Sequence, residues 1–71
     1  MKISKFRAGD YIITLNGYSF TLEKIAGDKY WRLYNDKQIQ VNDFETKNGA
    51  IKLMNEWSAE KTARYANEIN Y

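Results

Sequence analysis

The chain has 71 residues, with 11 Lys and Arg against 9 Asp and Glu for a formal net charge of +2. That leaves room for one domain, 1–71, and too little basic excess for a strong bulk attraction to nucleic acid. It contains no cysteine and no histidine, which excludes disulfides, thiolate metal sites and the Ser-His and Cys-His nucleophile pairs.

Residues 1–10 place Ile3 and Phe6 among Lys2, Lys5 and Arg7 and then turn at Ala8-Gly9-Asp10. No strand or helix period is evident there, and the basic residues read as a solubilising end, with a nucleic-acid arm as the alternative. From Tyr11 the pattern clears. Tyr11–Leu15 and Tyr18–Ile25 are β-favouring runs separated by Asn16-Gly17, the dipeptide that most readily takes the positive φ angles of a type I′ hairpin turn. A two-residue loop pairs Leu15 with Tyr18, Ile13 with Phe20 and Tyr11 with Leu22 on one face. It leaves Ile12, Thr14, Ser19, Thr21 and Glu23 on the other.

Ala26-Gly27-Asp28-Lys29 makes a second turn into a third strand, Tyr30–Tyr34, setting Leu22 against Leu33 on the core side and Glu23 against Arg32 outside, an opposite-charge cross-strand pair. Asn35-Asp36-Lys37 reverses the chain again into Gln38–Val41. A three-residue loop there predicts Leu33 with Ile39 and Trp31 with Val41 inside, and Tyr34 with Gln38 and Arg32 with Gln40 outside.

Between Val41 and Trp57 alternation gives way to helical spacing. Thr46 is placed to N-cap a helix whose apolar face comprises Ala50, Ile51, Leu53, Met54 and Trp57, and Phe44 is placed to pack back on it. After Trp57 the face drifts, with Ser58, Thr62, Tyr65, Ala66 and Ile69 centred about 90° further round at 100° per residue. Either the helix breaks near Ser58, which can N-cap a second one, or a single helix of about 36 Å overhangs strands of about 17 Å. In the overhanging case Tyr65, Ile69 and Tyr71 form an apolar strip that needs a second copy of the chain, a target, or the domain itself after a break at Ser58. Homodimerisation through this strip is the first expectation.

The predicted fold is therefore α+β: a four-stranded antiparallel meander followed by a C-terminal helix packed on one face. Its uncovered sheet face carries Tyr30, Arg32 and Tyr34 flanked by Glu23, Gln38 and Gln40. Tyr and Arg are over-represented at binding hot spots, so these residues are the candidate partner-binding set. The acidic residues are scattered over turns and helix exposures without a metal or phosphate motif. No catalytic set and no cofactor are expected.

The hairpin bearing Trp31, followed by Phe44-Glu45-Thr46-Lys47 and Ala50, resembles the amino-terminal sheet-plus-helix DNA-binding domains of phage and transposon integrases. That resemblance covers about Tyr30 to Trp57 and implies a sheet face set in the DNA major groove, with Tyr30, Arg32 and Tyr34 as the reading residues. The chain departs from such modules in Glu23 beside Arg32 and in the acidic Asp43-Phe44-Glu45 approach to the helix. In size, composition and stand-alone sheet-plus-helix plan it is also similar to small phage-encoded counter-defence proteins, the anti-CRISPR proteins among them. This likeness implies an inhibitor that acts by occupying a host protein. No run approaches the roughly 20 apolar residues of a membrane span, so the expected setting is the cytoplasm, that of the host cell if the protein is phage-encoded, with no membrane partner.

Overall fold

The Asn16-Gly17 turn folds as its composition requires. Asn16 has φ 52° and Gly17 φ 84°, both left-handed, in the computed structural model, which describes residues 1–69. On either side run β2, Asp10–Leu15, and β3, Tyr18–Glu23, paired Leu15 to Tyr18, Ile13 to Phe20 and Tyr11 to Leu22. The loop through Gly27 leads to β4, Trp31–Asn35, with Leu22 opposite Leu33 and Glu23 opposite Arg32. Both of these registers are those the turns imply.

The sheet has five strands where four were expected. Lys2–Arg7 forms β1, antiparallel to β2, with Ile3 opposite Ile13 and Ser4 opposite Ile12. The strand hides in the sequence because a bulge between Lys5 and Arg7 inserts Phe6 between paired residues and breaks the period of two. Gly9 makes the turn tight: at φ +83° its carbonyl accepts from Lys24 N at 2.8 Å, and an added Cβ would lie 2.8 Å from Lys24 O.

The last hairpin also differs from expectation. Strand β5 is Gln40–Phe44, and its partners are Trp31 to Phe44, Arg32 to Asp43, Leu33 to Asn42 and Tyr34 to Gln40. Gln38 is not a strand residue opposite Tyr34. It occupies the turn at φ 64°, because the Asn35 carboxamide oxygen accepts from Lys37 N (2.9 Å) and Ile39 N (3.1 Å) and draws the loop one residue further on. An irregularity between Leu33 and Tyr34 then moves the register again. The strands run in the order β1-β2-β3-β4-β5, a meander with β1 and β5 at its edges.

The two helices lie on one face. Helix α1, Lys47–Asn55, begins at Thr46, whose hydroxyl accepts from Gly49 N at 2.9 Å. Helix α2, Ala59–Ala66, begins at Ser58, whose hydroxyl accepts from Lys61 N at 3.0 Å. The chain therefore breaks at Ser58, and no helix overhangs the sheet. Ile13, Leu15, Phe20, Leu22 and Leu33 of the sheet bury against Ala50, Met54, Trp57 and Ala66. Burial at about 25 cal/mol per Å² of apolar surface is the main force holding the two layers together.

Polar contacts then fix α2 in place. Asn16 Nδ2 donates to Thr62 Oγ1 (2.9 Å), and buried Asn35 donates from Nδ2 to the carbonyls of Tyr65 (3.0 Å) and Glu68 (2.9 Å). Lys37 Nζ donates to Ala66 O at 3.2 Å. Two sheet turns thus hold the two ends of one helix. Among the described residues no helix is long and apolar enough to cross a membrane.

Candidate functional site

The sheet face away from the helices is built in cross-strand rows. One row runs Arg7, Asp10, Glu23, Arg32, Asp43 over all five strands, and a second runs Ser4, Ile12, Thr21, Tyr34, Gln40. Period-two alternation brings these side chains to one side, and the four turns of the meander bring the strands into register. Of the candidate residues, the face gathers Glu23, Arg32, Tyr34 and Gln40. Tyr30 precedes β4, and Lys29 Nζ lies 5.9 Å from its ring centroid. Gln38 belongs to the turn at the end of the sheet.

Arg32 does not pair with Glu23 across the strands. Its Nε donates to Asp28 Oδ2 at 2.8 Å, and its Nη1 to Gln40 Oε1 at 3.3 Å. Asp28 also accepts from Tyr30 N, and the hydrogen bond from Arg32 is the main cause holding its carboxyl below the usual range. At the other end of the row Arg7 is bound to Asp10 and lies 5.4 Å from the Phe6 ring centroid. Both arginines of the face are therefore already engaged.

Glu23 is left opposite Asp10, carboxyl beside carboxyl. Partial burial, and after it the hydrogen bond and charge of Asp10, push the Glu23 pKa up, with Arg7 opposing. The folded carboxyl binds its proton more tightly than the unfolded one. Its contribution to stability is therefore fully present below the unfolded value near 4.5 and is lost as pH rises through the raised folded value. Glu23→Gln removes the charge and keeps the shape. It should match wild type in urea melts well below pH 4.5 and exceed it at pH 7 by about 0.5 kcal/mol, a surface-scale effect. A variant less stable than wild type at pH 7 would show that Glu23 is a net favourable partner of Arg7.

Beside this pair Phe6, Ile12 and Thr21 border a shallow pocket of about 210 Å³ floored by Asp10 and Glu23. Phe6 is 69% exposed and Ile12 40%, large apolar groups held out to solvent on an ordered strand pair. Neither was among the residues singled out from the sequence. Ile12 had been assigned to the outer side, and its apolar character there was the available signal. Phe6 could join it only once β1 was known.

The C-terminal candidates separate. The Tyr65 ring stacks on Trp57 with centroids 4.7 Å apart and planes at 22°, and it packs against the core. The break at Ser58 supplies the rotation that a continuous helix would have lacked, so Tyr65 does reach the core. Ile69 remains 65% exposed, and Tyr71 lies outside the described residues. No family model, curated protein or solved structure significantly matches this chain.

Proposed function

We propose that this protein is a non-enzymatic binding module that acts by occupying a protein partner through the uncovered face of its sheet. The observation that carries the reading is the composition of that face. Phe6 and Ile12 present apolar surface around a shallow pocket, with Tyr34 in the same cross-strand row as Ile12, while Arg7 and Arg32 are each paired to a carboxylate of the same molecule. A solvent-exposed apolar and aromatic centre beside internally paired charges is the kind of surface that a protein partner can desolvate as a hot spot. In its most concrete form, supported by size and sheet-plus-helix plan, it is a phage-type inhibitor of a host protein.

The charged row weighs against the alternative of a DNA-reading face. It holds Asp10, Glu23 and Asp43 against Arg7 and Arg32, and three carboxylates facing a phosphate backbone repel it. The test compares wild type with Tyr34→Ala and Ile12→Glu as baits in host lysate, with duplex DNA in a parallel gel shift. A discrete protein retained by wild type and lost at least tenfold with either variant, at unchanged melting midpoint, is the expected result. Equal retention by all three baits, or salt-steep DNA binding that Arg32→Ala weakens, would overturn it.

A further inference from the structure

We propose that the free edge of β1 accepts an extended acidic segment of a protein as a sixth, added strand. The meander leaves β1 with one edge unpaired, and all six of its residues are exposed. The opposite edge strand, β5, is followed after two residues by α1, which contacts it. On this exposed β1 side unsatisfied backbone donors and acceptors provide the affinity for an added strand and neighbouring side chains the choice of partner.

Two apolar side chains on opposite faces of this edge point to the same occupant. Ile3 lies opposite Ile13, on the core side, and is 42% exposed; Phe6 lines the pocket on the outer face and is 69% exposed. One strand laid along β1 would cover both, whereas a partner approaching either face alone would cover only one.

Charge selects the kind of strand. Arg7 is bound to Asp10, but Lys2 and Lys5 form no ion pair among the described residues. An antiparallel second copy centred on the strand would set Lys2 opposite Arg7, and a parallel in-register copy would set each lysine against itself. Lysines on an edge strand normally keep copies of a protein from pairing. The same lysines, three residues apart and so on opposite faces, favour a strand with carboxylates at that spacing. This edge reading goes beyond the face reading and does not depend on it, because the two are disrupted by different variants.

The probe is a capped octapeptide, Glu-Val-Thr-Glu-Val-Thr-Glu-Val, compared with a counterpart carrying Lys for Glu and one with a central Pro. Binding is followed by NMR titration and amide hydrogen exchange of the intact protein. The expected result is binding of the acidic peptide at least tenfold tighter than either control, weakened by salt, with new protection confined to β1 amides. Lys2→Glu with Lys5→Glu should reverse the preference toward the lysine peptide, and a circular dichroism melt confirms that this variant folds. Tyr34→Ala should leave peptide binding unchanged. The proposal is overturned by equal affinity for all three peptides, by protection outside β1, or by a preference that survives charge reversal. It is likewise overturned if wild type protects β1 by concentration-dependent self-association, or if a 20-base-pair duplex binds through the same lysines in place of the peptide.

Discussion

Asn35→Ala is expected to destabilise the protein by about 3 kcal/mol, far beyond the effect of an ordinary turn substitution. The side chain makes four hydrogen bonds, two from Nδ2 to the Tyr65 and Glu68 carbonyls and two to Oδ1 from the Lys37 and Ile39 amides. It is 1% exposed, so water cannot replace them without opening the helix–sheet junction. Truncation therefore leaves backbone groups unsatisfied at both the β4–β5 turn and the end of α2, which is more costly than the mean worth of each bond. Asn35→Asp makes the comparison specific. It keeps the acceptor for the turn but faces a carboxylate toward two carbonyls at the negative end of a helix. It should be at least as damaging as alanine at pH 7 and recover partly in acid, when the carboxyl can donate. Urea melts at two pH values check this, and an Asn35→Ala variant within about 1 kcal/mol of wild type would mean that the junction is held by packing alone.

Trp57→Ala is expected to cost about 4 kcal/mol, within the usual range for removing a buried Trp. The indole joins three elements: its ring meets Phe20 edge-on at 5.8 Å, stacks on Tyr65 at 4.7 Å and sits between the two helices. Against a total stability of about 5–15 kcal/mol for a domain, that loss unfolds a large part of the population on modest heating. Trp57→Phe should be far milder. The indole Nε1 is buried without a hydrogen-bond partner among the described residues, so removing its N–H relieves a desolvation cost of about 1–3 kcal/mol that offsets part of the lost contact. Denaturant midpoints for the two variants decide the matter, and a Trp57→Phe loss equal to that of alanine would sink this account of the indole nitrogen.

Where local chemistry and tertiary structure agree, the fold was legible. Asn16-Gly17 dictates its turn, and every pair between β2 and β3 follows from it. Thr46 and Ser58 cap as their side-chain oxygens allow, and the 90° drift of apolar positions after Trp57 was the trace of the helix break. What stayed hidden depended on single inserted residues and on one polar side chain. Phe6, set in a bulge, disguised β1 as irregular chain. Asn35 read as a turn opener, although it is a buried strand residue that also receives α2. Nothing local announces that its amide will meet Tyr65 and Glu68, 30 and 33 residues later. The face itself was correctly assigned through Arg32 and Tyr34, but the choice of Asp28 over Glu23 as the Arg32 partner depends on how the intervening loop folds back. Cross-strand register gives proximity and does not decide between competing carboxylates.

The links between the turns and α2 also make the sheet depend on the segment that follows it in the chain. All five strands and α1 are complete by Asn55, whereas the groups that satisfy Asn16 and Asn35 arrive only with Thr62, Tyr65 and Glu68. Without that segment the meander would have two polar side chains lacking these partners and Phe20 and Leu15 incompletely covered. Residues 59–69 thus close the structure, and a cut just after Trp57 should leave a complete sheet with no finished interior.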